Sequence, residues 1–123
     1  MSYKDKNIAV MGVSSREEKF GHRIFRDLLN SGYKVYGVNP GEGEVLGKKI
    51  YRSLKDIPGK IDLVIIVVPA QVTEKAVDTC KELGIKEIWM QPGSESDLAV
   101  QSAKKYGIAV TYNSCFMVEE GIW

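Results

Sequence analysis

Five short, largely apolar runs along the chain predict β-strands. The runs are rich in β-branched residues and continuous in hydrophobicity, which is typical of strands buried on both faces of a sheet. They are residues 7–13, 34–38, 63–68, 87–90 and 108–112. A shorter segment, residues 49–51, indicates an extra strand in the irregular connection between the second and third runs.

Helical patterns separate these strands. From residues 20, 72 and 98 onward, apolar side chains recur every three or four positions, as in helices with one buried face. These patterns end at Gly32, Gly84 and Gly107, and glycine is common directly after the end of a helix. Alternating strands and helices with short connections predict an α/β fold, Rossmann-like and doubly wound, with a five-stranded, mainly parallel sheet and helices on both faces. We expect the strand order 3-2-1-4-5 and a single domain over residues 1–123.

The composition excludes several classes of function. The 17 basic residues are balanced by 16 acidic ones, so no global positive field attracts nucleic acid. The longest apolar run, residues 63–68, is too short to cross a membrane. Two cysteines suggest neither a disulfide framework nor a metal site, and a reduced, cytoplasmic location is expected.

In an open parallel sheet, ligands bind beyond the carboxyl ends of the strands. Four stretches lie at that edge in the expected fold, and all are rich in glycine, proline or small polar residues: 12–15, 38–40, 68–70 and 90–93. Such residues are also common in turns, so one loop alone is a weak signal. The convergence of all four loops on one edge is what indicates a site.

The first of these loops has features suited to phosphate. Gly12 permits a tight turn, Ser14 and Ser15 offer hydroxyl groups, and Lys19 offers a positive charge. The following helix would present unpaired N–H groups and a positive dipole end. The alternative is a plain strand-to-helix turn with a solvated charged segment, "REEK".

The second loop argues against a nicotinamide cofactor. Dinucleotide sites of that type usually place Asp or Glu at the end of the second strand, where the carboxylate binds the ribose hydroxyls. Here the strand ends in Val38, Asn39 and Pro40, and the next carboxylate is that of Glu42.

Several motifs together resemble a known family. "GVSS", "VNP", "LG…Y.SL.DIP..ID", "VVPA" and "W.QPG" are similar to those of small stand-alone CoA-binding proteins of the Rossmann type and of the CoA-binding domain of the succinyl-CoA synthetase alpha subunit. The resemblance extends from about Asn7 to Cys115. It implies coenzyme A as the cofactor.

The resemblance also implies positions for the parts of coenzyme A. The pyrophosphate would lie on the first loop and the adenosine by the second. Residues at the ends of the third and fourth strands would line the rest of the cleft. The implied residues are, in that order, Gly12, Val13, Ser14, Ser15, Lys19 and Gly21; Asn39 and Pro40; Val68 and Pro69; and Gln91. Acidic Glu42 and Glu44 lie in the adenosine region, where Lys48 and Lys49 are the candidate cations for the ribose 3′-phosphate.

Catalytic groups are not evident. His22 is the single histidine and has no recognisable nucleophile or orienting acid. We expect it to be a partly exposed residue in the first turn of its helix, or an auxiliary contact to phosphate. Cys80 lies on an apolar helix stripe. Cys115 follows the last strand, where we expect it to pack under the final helix; the alternative is a mixed disulfide with the CoA thiol. We therefore expect a protein that binds CoA or acyl-CoA as a carrier, sensor or regulator. The alternatives are an NAD(P)-linked dehydrogenase-like fragment and an interaction subunit of a larger acyl-CoA ligase, and homo-oligomerisation stays open.

Overall fold

The computed structural model describes residues 3–123. Along this part of the chain the strands form one seven-stranded sheet in the order β3-β4-β2-β1-β5-β6-β7. The elements are β1 (Asn7–Met11), α1 (Phe20–Asn30), β2 (Lys34–Val38), β3 (Glu44–Val45), β4 (Lys48–Tyr51), β5 (Leu63–Ile66), α2 (Ala70–Glu82), β6 (Glu87–Met90), α3 (Asp97–Lys105), β7 (Ala109–Thr111) and α4 (Phe116–Glu119).

The strands are parallel except for the small hairpin of β3 and β4. The doubly wound α/β class is therefore confirmed, with seven strands instead of five. The expected order 3-2-1-4-5 is wrong for the five main strands, whose order is β2-β1-β5-β6-β7. The reason is that β4, the extra strand expected at residues 49–51, takes the place beside β2. Counted as the third strand, β4 restores the order 3-2-1-4-5-6.

Two apolar clusters cover the two faces of the sheet. Neighbouring residues of β1 point into different clusters, because successive strand side chains alternate between faces. Ile8 packs with α1 and α4, whereas Ala9 packs with α2 and α3. Both residues are fully buried, so β1 lies at the centre of the molecule.

The three long helices end as their glycines predict. Gly32, Gly84 and Gly107 have φ of +84°, +71° and +76°. In each case the N–H of the following residue donates to a carbonyl five residues earlier, as Tyr33 does to Leu28 at 3.1 Å. These bonds are those of the Schellman motif, in which a left-handed residue closes the helix.

Candidate functional site

A cleft opens at the carboxyl edge of the sheet, where the strand order reverses around β1. Its two parts share Gly12, Asn39 and Val68. The larger part, about 490 Å³, reaches Lys19 at the start of α1 and is called the α1 half. The smaller part, about 310 Å³, reaches Arg52 after β4 and is called the β4 half. The loops after β1, β2, β5 and β6 all contribute to the cleft, as the sequence predicts.

Two glycines bring the first loop, α1 and β5 into close backbone contact. A Cβ atom on Gly12, whose φ is +100°, would lie 2.1 Å from the carbonyl oxygen of Val67. A Cβ atom on Gly21 would lie 1.9 Å from the carbonyl oxygen of Gly12. Neither position has room for a side chain. The close approach that Gly12 permits is thus to the protein's own backbone, whether or not a ligand is bound.

The start of α1 has no side-chain cap. Lys19 is the N-cap residue, with extended φ and ψ of −80° and 143°. The backbone N–H groups of Phe20, Gly21 and His22 make no hydrogen bond to any atom of residues 3–123. These free donors and the positive end of the helix dipole border the α1 half, next to the Lys19 side chain.

His22 fixes the first loop to the helix. Its ring is buried, and Nδ1 lies 2.8 Å from the carbonyl oxygen of Ser14. Because a carbonyl oxygen only accepts, Nδ1 carries the proton and donates it. The expectation of a partly exposed histidine is therefore wrong. The structure instead gives His22 a buried role in holding the loop.

Asn39 and Glu42 tie the second loop to the first. The Asn39 amide donates from Nδ2 to the carbonyl oxygen of Val13 at 2.7 Å and accepts at Oδ1 from the N–H of Gly41 at 2.9 Å. The Glu42 carboxylate accepts from the N–H of Ser15 at 2.9 Å. The shape of this corner therefore rests on internal hydrogen bonds.

The cleft brings together eight of the eleven residues expected from the sequence. These are Gly12, Ser14, Lys19, Gly21, Asn39, Pro40, Val68 and Pro69. The other three lie outside its lining. Val13 is fully buried, and Ser15 is exposed. Gln91 is buried and accepts at Oε1 from the N–H of Phe116 at 2.7 Å.

The two candidate lysines and Cys115 also lie elsewhere. Lys48 and Lys49 line a separate groove with Tyr33 and Tyr36. Cys115 Sγ accepts from the Gln91 amide at 3.4 Å and is not part of the cleft lining. The mixed disulfide between Cys115 and the CoA thiol stays a prediction.

Other cleft residues were missed by the sequence analysis. Ser94 is buried, and its Oγ accepts from the N–H of Val68 at 3.1 Å, which joins the loops after β5 and β6. Arg52 directly follows β4 and lines the β4 half. The one sequence feature that could have pointed to Arg52 is the extra strand expected at residues 49–51. Only the position of that strand beside β2 shows that Arg52 reaches the cleft.

The described part of the chain has neither a clustered set of metal ligands nor an exposed Cys80 thiol. No group of three His, Cys, Asp or Glu side chains within residues 3–123 is placed to hold a metal ion. Burial raises the pKa of the Cys80 thiol to about 12, so this thiol stays protonated near neutral pH. None of the described helices has the length and apolar character needed to cross a membrane.

Comparison with known proteins identifies relatives of two sizes. The alpha subunit of ADP-forming acetate–CoA ligase II from Pyrococcus furiosus is 36% identical over 124 residues, a match that covers 92% of this chain and 27% of that protein. The uncharacterized protein YneT from Bacillus subtilis is 30% identical over 119 residues, which cover 97% of this chain and 88% of that protein. This chain thus spans about a quarter of the ligase subunit.

A solved structure supports the same relationship. A conserved hypothetical protein from Pyrococcus furiosus superposes with a TM-score of 0.89 at 37% identity, covering 93% of this chain and 98% of that one. The family model described as a CoA binding domain matches residues 6–121. Since this match covers nearly the whole sequence, the chain belongs to the CoA-binding domain family.

Proposed function

We propose that the chain binds coenzyme A or an acyl-CoA in the cleft, in a carrier, sensing or regulatory role without catalysis of its own. The observation that carries this proposal is the uncapped start of α1, where three backbone N–H groups have no partner within residues 3–123. Free amide donors at a helix start, beside a cation, form an arrangement suited to phosphate groups.

The charges of the cleft favour an anionic ligand. Lys19 in the α1 half and Arg52 in the β4 half are the charged side chains among the described lining residues, and no carboxylate lines either half there. The pyrophosphate of CoA would lie against Gly12, Ser14 and the start of α1. The adenosine would lie by Asn39 and Pro40, where the structure has no carboxylate of the kind that binds the ribose of NAD.

The proposal that the chain lacks catalysis rests on its buried groups. The His22 ring nitrogen Nδ1 is bonded to the carbonyl of Ser14, not to an orienting carboxylate. Serine and cysteine nucleophiles need a nearby base, and the Cys80 thiol is buried and protonated. We expect no thioester formation when the chain is incubated with acetate, CoA and ATP.

Isothermal titration calorimetry with CoA, acetyl-CoA, NADH and NADPH tests the proposed ligand. We expect saturable binding of CoA or acetyl-CoA and none of the two nicotinamide cofactors. Absence of CoA binding, or tighter binding of NADH, would overturn the proposal and favour the dehydrogenase-like alternative or a vestigial site.

A second candidate function is that of an interaction subunit of a larger acyl-CoA ligase. The ligase relatives favour it, because this chain matches about a quarter, 27%, of the acetate–CoA ligase alpha subunit. Purification of the tagged chain from its own host, with mass spectrometric identification of an acyl-CoA ligase subunit in stoichiometric amount, would support this candidate.

The Lys19 side chain provides a more specific prediction. Lys19→Ala should weaken CoA binding about threefold at low salt, since an exposed cation at a helix start adds a modest attraction for phosphate. The difference should shrink at about 1 M salt, where the Debye length is about 3 Å. Calorimetric titrations at both salt concentrations measure it.

Arg16→Ala is the matched control for Lys19. Arg16 belongs to the same loop but pairs with Glu18 at 2.7 Å and does not line the cleft. Its removal should leave the affinity unchanged at both salt concentrations. If Lys19→Ala retained the salt profile of the unmodified chain, a phosphate contact by Lys19 would be ruled out.

A further inference from the structure

The β4 half of the cleft contains one charged residue among its described lining, Arg52. Arg52 directly follows β4, which runs parallel to β2 with Tyr51 opposite Val38. The N–H of Asn39 donates to the carbonyl oxygen of Tyr51 at 2.9 Å, so the chain beyond β4 leaves the sheet beside the turn at Asn39 and Pro40. This pairing places Arg52 at the end of the cleft opposite to α1.

The Arg52 guanidinium is available for a ligand. It is exposed and forms no ion pair or hydrogen bond with any side chain of residues 3–123. The nearby acidic residue of the second loop, Glu42, has its carboxylate bonded to the N–H of Ser15 and is not among the lining residues. Of the other three arginines, Arg16 and Arg26 are paired with Glu18 and Asp27. Arg23 lies over the rings of Phe20 and Trp123.

The two lysines that the sequence offered for this role lie in another groove. Lys48 and Lys49 line it with Tyr33 and Tyr36, and Lys49 Nζ lies 5.1 Å from the centre of the Tyr51 ring. Arg52 is therefore the cation that the structure brings to the cleft. Its planar guanidinium can bind two phosphate oxygens at once, which a lysine ammonium does less well.

The cleft thus has one cation in each half, with Gly12, Asn39 and Val68 between them. Coenzyme A has a matching distribution of charge, since its pyrophosphate is attached at the 5′ position of the ribose and its third phosphate at the 3′ position. We propose that Arg52 binds the ribose 3′-phosphate and makes the cleft prefer CoA to ligands that lack this phosphate. This inference rests on the proposed function, which gives the α1 half to the pyrophosphate.

Titration of CoA and 3′-dephospho-CoA tests this role of Arg52. The unmodified chain should bind CoA at least about tenfold more tightly, as expected for a charge-assisted, two-oxygen contact. Arg52→Gln should lower the CoA affinity to that of dephospho-CoA and leave dephospho-CoA unchanged. Arg52→Lys should retain part of the preference, which shows that the site is still folded.

Lys49→Gln is the comparison variant, because it removes the cation in the other groove. It should leave both affinities unchanged, and loss of the preference in this variant would overturn the assignment to Arg52. Equal binding of the two ligands by the unmodified chain, or equal weakening of both by Arg52→Gln, would overturn the inference alone. Failure of the unmodified chain to bind either ligand would overturn the proposed function together with it.

Discussion

Gly21, at the second position of α1, determines how closely the helix approaches the first loop. Helix interiors ordinarily disfavour glycine by about 1 kcal/mol relative to alanine. Here a methyl group would lie 1.9 Å from the carbonyl oxygen of Gly12, which belongs to backbone and cannot rotate away. The steric conflict outweighs the gain in helix propensity, so Gly21 is required by packing.

We expect Gly21→Ala to destabilise the fold by about 2 kcal/mol, the typical result of overpacking a well-packed region. Urea unfolding followed by circular dichroism measures the change. Gly43→Ala is the control, because a Cβ atom there meets no atom within 4 Å and the φ angle is not left-handed. A Gly21→Ala variant as stable as the unmodified chain would show that α1 can move away from the loop.

A second close backbone contact changes how a substitution at Gly12 would be interpreted. A larger side chain there would collide with the carbonyl of Val67. Loss of CoA binding in Gly12→Val would therefore reflect a distorted loop, and substitution of Lys19 or Arg52 is the more informative test of the site.

The residues that sequence reasoning placed well are those whose role depends on their own backbone. Gly12, Gly32 and Gly84 have positive φ angles, and glycine is the residue that adopts them without strain. Asn39 and Gln91 were harder to interpret because their partners are distant in sequence. Asn39 bonds to Val13, 26 positions away, and Gln91 bonds to Phe116, 25 positions away.

At the scale of elements, the short helix α4 depends on contacts from other parts of the fold. Phe116 is fully buried, with its ring centroid 5.3 Å from that of Tyr3, 6.5 Å from that of Tyr33 and 5.1 Å from that of Trp89. Gln91 accepts the N–H of Phe116, and Trp89 donates from Nε1 to the carbonyl of Ser114 at 2.8 Å. The end of β6 thus holds the start of α4.

Gln91→Ala should reduce the free energy of unfolding by about 1–3 kcal/mol, because it leaves the buried N–H of Phe116 without an acceptor. The CoA affinity should stay unchanged, as Gln91 does not line the cleft. Thermal unfolding and calorimetric titration measure the two quantities. Gln101→Ala, on the exposed side of α3, is the control. Normal stability with a lost affinity would restore Gln91 as a ligand contact.

The element order shows what the apolar pattern can and cannot predict. Lys34–Val38 and Glu87–Met90 have the expected bounds as β2 and β6, since both strands are marked by compact apolar runs. The place of β4 could not be predicted, because Lys48 and Lys49 make it half polar. Its position depends on pairing with β2. Because that pairing was not predicted, neither the correct strand order nor the position of Arg52 could be predicted.

At the scale of the whole molecule, two phenols and one thiol that are buried or half-buried set an alkaline limit to stability. Burial, with a hydrogen bond to Glu87, raises the pKa of Tyr3 from 10.0 to about 12. Burial, with a hydrogen bond to Glu120, raises that of Tyr33 from 10.0 to about 12. Burial raises that of Cys80 from 9.0 to about 12.

In all three groups the folded state favours the protonated form, so the unfolded chain loses protons first as the pH rises. The contribution of these three groups to the free energy of unfolding should be constant below about pH 9 and fall between pH 9 and 12, the window of these shifts. Urea unfolding at pH 8, 10 and 11 checks this, and Tyr33→Phe should flatten the decline. A stability that rises with pH in this range would contradict it.

The hydrogen bonds of Asn39, His22 and Glu42 have a consequence for the thermodynamics of recognition. They fasten the first loop to α1 and to the second loop within the protein itself. The conformational entropy of that corner is then lost during folding and not at the moment of association, which removes a common penalty on affinity. A ligand that binds at this edge would meet loops that are already ordered, so little of its binding free energy would be lost in ordering them.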